Sequence, residues 1–296
     1  MPSTRPSIGY HILALVTIAV WGTTFVSTKV LLSHGLTPPE IMFYRFIIAY
    51  ALTWIFTRKV WADTWKDELL LALAGFMGGT LYFLAENTAL DYSITSNVAL
   101  VVCVTPVLTA LLTSLCYKER ITARLVVGSV VALSGVGFVV LNGTVLKIHP
   151  LGDALALVAA VAWAVYSVVI RRFDGCYTTW FVTRKVFFYG IVTMIPFIAA
   201  GMGGGLHLDK LTIPVVLGNV LFLSVLASML CFYSWNLVLE KIGTIRASNY
   251  MYTQPLVSLA CSVAVLDEPI TPIALGGTVL ILSGIYLAEH GWKKRT

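Results

Sequence analysis

Charged side chains inside long apolar runs are the first feature of this chain that could do chemistry. Glu86 lies in one such run, and Lys29 and Arg45 lie in two others. A carboxylate inside a membrane span is costly, so it usually marks a functional pathway or an ion pair. At 1.5 Å per residue, Arg45 would lie roughly 9 Å, and Lys29 and Glu86 roughly 5 Å, from their span ends. The three are expected near one membrane face, and we predict that Arg45 and Glu86 are coupled.

The protonation of Glu86 would depend on its neighbours. A close opposite charge favours the ionised carboxylate, whereas burial favours the protonated acid. That balance suits a carboxylate that exchanges a proton or that a substrate's acid group displaces. For Lys29 and Arg45 the alternative is snorkelling, in which a long stem carries the charge to the headgroups.

Amide, phenol and indole groups in other apolar runs add hydrogen-bonding and aromatic surface. Tryptophans often belong to interfacial belts, but Trp21 falls in the middle of its run. This lining suits an amphipathic organic solute better than a bare ion, which would require rings of oxygen ligands. The predicted substrate-binding residues are Trp21, Thr24, Arg45, Tyr82, Glu86, Asn97, Trp163, Tyr166, Lys185, Asn249, Tyr252 and Gln254.

Enzymatic motifs are missing from the sequence. It contains no His-Glu-x-x-His, no phosphate-binding Gly-Lys-Ser/Thr loop and no Gly-x-Ser-x-Gly, and all five His fall at span ends or in loops. We therefore predict no catalytic residue, no metal site and no cofactor. An intramembrane enzyme stays an alternative, but it would need a clustered nucleophile and base.

Composition places these residues in an all-α membrane protein. The chain is 58% hydrophobic and only 11% charged, against about 25% charged in soluble domains. A bilayer span needs about 20 mostly apolar residues. Ten candidate spans meet this length approximately: 9–32, 39–56, 69–89, 95–115, 123–141, 151–170, 179–200, 212–239, 247–266 and 270–288.

The spans form an internal repeat. Adding 149 converts Asn87 into Asn236, Pro106 into Pro255, Glu119 into Glu268, Gly128 into Gly277 and Gly135 into Gly284 without a gap. Closer to the N-terminus, an offset of 140 relates Arg45 to Lys185. Arg184 or Lys185 is predicted to serve the inner half of the membrane as Arg45 serves the outer half. We predict a first repeat over 1–142 and a second over 143–296, each with five spans.

The basic residues indicate the orientation. Fourteen of the 20 Lys and Arg fall in segments on the side of the termini, two (Lys147 and Lys210) on the opposite side, and four within spans. The positive-inside rule then places both termini in the cytoplasm. The basic excess is a topology signal, so it does not indicate nucleic-acid binding. Because five is odd, the second repeat would enter the membrane inverted, which is typical of transporters.

The motif order closely resembles the EamA family of the drug/metabolite transporter superfamily. The resemblance rests on Trp21-Gly22-Thr23-Thr24-Phe25 with Lys29, then Pro39 and Arg45-Phe46, and on the repeated Pro, Glu and Gly positions. In the second half, Trp163-Ala164 replaces Trp-Gly. The resemblance implies a bacterial inner-membrane exporter or permease for small metabolites, often amino acids or related compounds. It also implies a central cavity lined mainly by spans 1, 3, 4, 6, 8 and 9.

Two prolines are predicted to act as hinges. Pro106 and Pro255 fall inside spans 4 and 9, where a proline removes a backbone donor and commonly kinks the helix. Equivalent kinks would let the cavity close at alternate faces, although packing shape alone is the alternative.

The sequence thus predicts a ten-helix secondary transporter of small organic solutes, working in a lipid bilayer by alternating access. A membrane channel is the alternative within the same class of protein. The identity of the solute, the direction of transport, the coupling ion (protons included) and the oligomeric state stay open.

Overall fold

The computed structural model of the protein describes residues 7–93, 95–140, 149–200, 205–257, 260 and 271–290. Across these ranges the chain forms helices and turns, without a strand. Five helical segments in them are long and apolar enough to cross a membrane: Trp65–Ala89, Leu100–Tyr117, Pro150–Phe173, Thr179–Ala199 and Pro214–Ile242. Shorter apolar stretches cover Ile8–Thr24, Ala123–Val139 and Leu275–Ala288. The predicted all-α fold with apolar helices of membrane length is therefore confirmed for the described part of the chain.

Thirteen α-helices follow one another in the described ranges. The first seven are α1 Ile8–Ser33, α2 Pro38–Thr53, α3 Trp65–Gly75, α4 Tyr82–Tyr92, α5 Thr95–Val102, α6 Thr105–Tyr117 and α7 Ala123–Val140. The others are α8 Pro150–Ile170, α9 Thr179–Ala199, α10 Pro214–Leu221, α11 Cys231–Ile242, α12 Thr244–Asn249 and α13 Pro272–His290. Short 3-10 turns cover Arg171–Phe173, Leu208–Thr212 and Tyr250–Thr253.

Polar residues in the loops set where the helices begin. The Thr64 hydroxyl accepts a hydrogen bond from the Asp67 N–H at 3.1 Å, and the Thr178 hydroxyl accepts one from the Phe181 N–H at 3.3 Å. Such caps satisfy backbone donors that the first helical turn leaves without a partner. Gly243, at φ +94°, ends α11 and lets the chain turn directly into α12.

Two long helices contain π-helical segments. Phe76–Leu81 joins α3 to α4, and Phe222–Leu230 joins α10 to α11. An offset of 149 carries the first segment onto residues 225–230, which lie inside the second. π-Helical turns are rare and frequently lie at functional sites. The apolar runs at 69–89 and 212–239 gave no signal for these irregular turns.

Two other helices are interrupted just before a proline. The run predicted as one span over 95–115 breaks at the turn of Cys103 and Val104, and Pro106 follows in the first turn of α6. In the second half, the 3-10 turn Tyr250–Thr253 precedes Pro255. Residues 258–259 and 261–266 of span 9 lie outside the described residues, as does Glu268.

Helices α7 and α13 pack against each other through glycines. A Cβ on Gly128 would lie 2.6 Å from the Gly284 carbonyl, and one on Gly135 would lie 2.6 Å from the Gly277 carbonyl. The contacts pair an early residue of one helix with a late residue of the other, so the helices run antiparallel. Gly128 corresponds to Gly277 and Gly135 to Gly284 in the repeat, so exchanging the two halves converts one contact into the other.

Helix α8 lies at the centre of the molecule. It packs against α3, α4, α5 and α6, while α9 packs against α2 and α3, and α1 packs against α11. The aromatic core lies where these helices meet, and it includes Phe46, Trp163, Phe232 and Trp235.

Candidate functional site

A cavity opens at the centre of the fold, beside the two π-helical segments. It measures ≈ 420 Å³ when the open space at its mouth is counted with it. Side chains from α1, α2, α4, α8 and α11 line it, together with the segment that follows α12. The lining residues are Trp21, Thr24, Arg45, Tyr82, Phe83, Glu86, Trp163, Phe232, Met251 and Gln254.

Aromatic rings form one wall of the cavity. The ring centroid of Trp21 lies 5.2 Å from that of Trp163 in an edge-to-face arrangement, and 5.9 Å from that of Phe232. The Trp21 indole N–H donates to the Ala227 carbonyl, in the second π-helical segment, at 2.9 Å. The Tyr82 ring packs 4.9 Å from Trp163. These contacts fix the rings, which then offer flat faces to an apolar or cationic group.

Charged side chains form the other part of the lining. Arg45 is 5% exposed and Glu86 is 7% exposed. The Tyr82 hydroxyl donates to Glu86 Oε1 at 2.7 Å, and Arg45 Nε donates to the Ser228 hydroxyl at 3.1 Å. Among the described side chains, no ion pair within 4.0 Å joins Arg45 to Glu86. Each charge therefore has a neutral protein partner and shares the cavity with the other.

The structure brings most of the predicted site residues together. Seven of the twelve line the cavity: Trp21, Thr24, Arg45, Tyr82, Glu86, Trp163 and Gln254. Tyr166 lies directly behind this wall. Its ring centroid is 5.0 Å from that of Trp163, and its hydroxyl donates to Asn236 Oδ1 at 2.6 Å.

Other predicted site residues lie elsewhere. Asn249 and Tyr252 are buried, and Tyr252 packs in the cluster that α7 and α13 form rather than in the cavity lining. The side chains of Asn97 and Lys29 lie outside the described residues, although their backbones belong to α5 and α1.

Lys185 belongs to a second charged cluster, at the start of α3. Its ammonium group pairs with Glu68 and lies 4.5 Å from the ring centroid of Trp61 and 5.0 Å from that of Tyr189. Glu68 also accepts a hydrogen bond from the Ala62 N–H at 2.8 Å, so the cluster holds the α2–α3 loop against α9. Lys185 and Arg45 therefore occupy two separate sites that each contain a carboxylate and a tyrosine.

Three lining residues escaped the sequence analysis: Phe83, Phe232 and Met251. Apolar side chains in a membrane span face lipid, protein or a cavity, and residue type alone does not distinguish these environments. The available signal was position. Phe83 directly follows Tyr82 in the sequence. Phe232 directly follows Cys231, the residue that corresponds to Tyr82 in the second half.

Comparisons with known proteins agree with this architecture. The model of the EamA-like transporter family matches residues 8–141 and again residues 150–289. An "Uncharacterized transporter" of Archaeoglobus fulgidus is 28% identical over 93% of this chain and 97% of its own. A "Probable amino-acid metabolite efflux pump" of Escherichia coli is 27% identical over 96% of each chain. A "Probable terminal-alkyne amino-acid exporter" of Streptantibioticus cattleyicolor is 25% identical over 93% and 92%.

A solved crystal structure matches the fold. It superimposes with a TM-score of 0.77, at 20% sequence identity, over 97% of this chain and 99% of the other. At that identity the likeness concerns the fold alone.

Proposed function

Since the chain belongs to the EamA-like transporter family, we propose that it is a secondary transporter that exports small amphipathic, amino-acid-like solutes by alternating access. The membrane would be the bacterial inner membrane. Two of the relatives above are named for amino-acid metabolites or amino acids, which supports this class of solute. The central cavity carries the proposal further, because its chemistry matches the two ends of such a molecule.

The observation that carries the proposal is that Arg45, Glu86 and an aromatic wall line the same cavity. The Arg45 guanidinium can bind a carboxylate through two parallel hydrogen bonds. Glu86 and the faces of Trp21 and Trp163 can receive an ammonium group. An apolar side chain on the solute would fill the remaining space beside Phe232. A zwitterion would thus satisfy both buried charges of the lining.

We propose that ten spans form two inverted repeats, 1–142 and 143–296, with both termini in the cytoplasm. Two matched ranges of the family model support this division. So do the antiparallel glycine contacts of α7 with α13, which exchange under the repeat, and the repeated π-helical segments. In inverted repeats, one half does at one face what the other does at the opposite face.

Alternating access would use both charged sites, the central cavity with Arg45 and the cluster with Lys185. In the proposed topology, Arg45 lies toward the outer face and Lys185 toward the inner one. The cluster of Lys185 and Glu68, which ties the α2–α3 loop to α9, would close the inner mouth. The breaks before Pro106 and Pro255 would act as hinges. Pro106→Ala and Pro255→Ala should then shift inward and outward accessibility in opposite senses, and identical shifts would argue against the hinges.

Transport by the purified protein in liposomes tests the proposal. Counterflow of radiolabelled phenylalanine should saturate with concentration and should be accelerated by unlabelled solute on the opposite side. A channel would show neither effect. Arg45→Ala and Glu86→Gln should each lower the initial rate at least about tenfold, the cost of removing a charged hydrogen-bonding partner.

Glu40→Gln is a matched control for Glu86→Gln. Glu40 is as buried, at 1% exposed, and accepts hydrogen bonds from Tyr44 and His207, but it does not line the cavity. If Glu40→Gln reduces counterflow as much as Glu86→Gln does, the cavity is not the transport site.

A further inference from the structure

The orientation of Arg45 depends on a contact between the two halves of the chain. Arg45 belongs to α2, and its Nε donates at 3.1 Å to the hydroxyl of Ser228, in the π-helical segment Phe222–Leu230. Ser228 is 0% exposed and Arg45 is 5% exposed, so the hydroxyl that accepts this hydrogen bond is buried. The guanidinium carbon lies 4.7 Å from the ring centroid of Phe83, which supports the group from another side.

The hydroxyl of Ser228 is used differently from that of Ser224, one turn earlier in the same segment. Serine hydroxyls in helices commonly donate to the carbonyl four residues back. Ser224 does so, with its hydroxyl 2.6 Å from the Val220 carbonyl. Ser228 instead accepts a hydrogen bond from another helix. Its contribution is therefore to hold the guanidinium of Arg45, and Ser224 is the natural comparison.

The two Nη atoms of Arg45, on the side of the guanidinium away from Ser228, are the donors that a ligand can use. Arginine carries five N–H donors in a rigid plane, one on Nε and four on the two Nη atoms. Fixing Nε by Ser228 and the ring contact with Phe83 determines both the direction and the plane of the group. Arg45 also lines the cavity, and an oriented pair of Nη groups fits the two oxygens of a carboxylate.

The first half has no serine at the position that corresponds to Ser228. Subtracting 149 from 228 gives Gly79, in the first π-helical segment. A Cβ there would lie 2.9 Å from the Phe46 ring and 3.2 Å from the Gly190 backbone, so a serine would not fit without a shift. The duplication therefore does not explain the serine, whereas the arginine across the interface does.

We propose that Ser228 is a positioning residue, which holds the Arg45 guanidinium so that its Nη groups bind a solute carboxylate, and that it thereby sets the preference for zwitterions over amines. This inference rests on the proposed function, because it assumes that Arg45 meets the solute.

Calorimetric titration of the full-length protein in detergent, with two probes, tests the inference. Phenylalanine carries the carboxylate, and phenylalaninamide keeps the ring and the amine without it. Ser228→Ala should weaken phenylalanine binding about tenfold, as expected for a lost hydrogen bond to a charged group, and phenylalaninamide binding less than about twofold. Ser228→Thr keeps the hydroxyl and should restore the preference for phenylalanine. Ser224→Ala should leave both affinities unchanged.

An arginine variant gives an independent readout. In an Arg45→Lys background no Nε donor remains, so adding Ser228→Ala should change phenylalanine affinity less than about twofold. The inference is overturned if Ser228→Ala leaves the preference intact, or if it weakens both probes equally. If Arg45→Ala binds phenylalanine as the wild type does, the proposed function fails as well. If Arg45→Ala weakens phenylalanine binding and Ser228→Ala does not, only the proposed role of Ser228 is overturned.

Discussion

The glycine contacts between α7 and α13 lead to a quantitative stability prediction. A methyl group on Gly277 would lie 2.7 Å from the Gly135 carbonyl and 2.9 Å from both Phe138 Cβ and Val139 Cγ2. Two of these atoms belong to backbone or to Cβ, so they cannot rotate away and the helices must separate. Gly277→Ala should therefore destabilise the fold by about 1–3 kcal/mol, the usual cost of overpacking.

The neighbouring glycine provides the control. A Cβ on Gly276 would meet nothing within 4 Å. Gly276→Ala should then be neutral, or stabilising by up to about 1 kcal/mol, because alanine favours the helix over glycine. The pair separates packing from helix propensity within one helix. On α7, Gly135→Ala and Gly137→Ala form a second matched pair, since Gly137 also has open space beside it.

Unfolding in mixed micelles with increasing SDS, followed by tryptophan fluorescence, measures these changes. The repeat adds a further expectation: Gly128→Ala should cost about as much as Gly277→Ala, because the two positions correspond and their contacts are similarly short, at 2.6 and 2.7 Å. Equal stabilities of Gly277→Ala and Gly276→Ala would refute the close helix contact. A large difference between Gly128→Ala and Gly277→Ala would refute its symmetry.

Three other predictions concern topology and charge. In a cysteine-free background, Ser33→Cys should react with an impermeant thiol reagent added to whole cells and Thr64→Cys should not; labelling of the latter would contradict the inverted arrangement. Glu86→Gln should flatten the pH dependence of counterflow. Arg45→Ala should cost more stability than the double variant, by about 1–3 kcal/mol, since the single change leaves a buried charge without its opposite. Additive effects with an unchanged pH profile would show that the two residues are not coupled. Lys185→Ala should free the α2–α3 loop and raise trypsin cleavage there; an unchanged cleavage rate would mean that the ion pair with Glu68 does not hold the loop.

Much of the fold follows from signals that a sequence carries directly. Apolar runs of span length predict where the helices lie, and in most cases the observed ends fall within a few residues. The π-helical segments were not predictable, because a π turn keeps the same apolar composition as the helix around it. The break at Cys103 and Val104 has a signal in Pro106, since proline removes a backbone donor, but the signal does not fix the residue at which the helix stops.

In the candidate site, the charged residues could be predicted from the sequence, whereas the packing of the uncharged residues could not. Arg45 and Glu86 were recognisable because a charge in an apolar run is rare and costly. Tyr252 has as polar a side chain as Tyr82, yet it packs with α7 and α13, and one-dimensional spacing does not show which neighbour a helix face meets. Phe232 lines the cavity, but its side chain is apolar, so its residue type does not distinguish it from the other apolar residues of its span.

The differences between the halves bear on how a duplicated scaffold would bind the proposed zwitterionic solute. The glycine contacts and π-helical segments recur at equivalent positions, so the elements that pack and bend the helices are shared. The carboxylate of the lining is not repeated: an offset of 149 takes Glu86 to Trp235, which is fully buried with its ring centroid 5.4 Å from that of Trp21. A second carboxylate there would bring like charges into one buried site, which is unfavourable. An indole at this position avoids that repulsion and packs against Trp21. The charges that would orient the proposed zwitterion, Arg45 and Glu86, therefore both come from the first half.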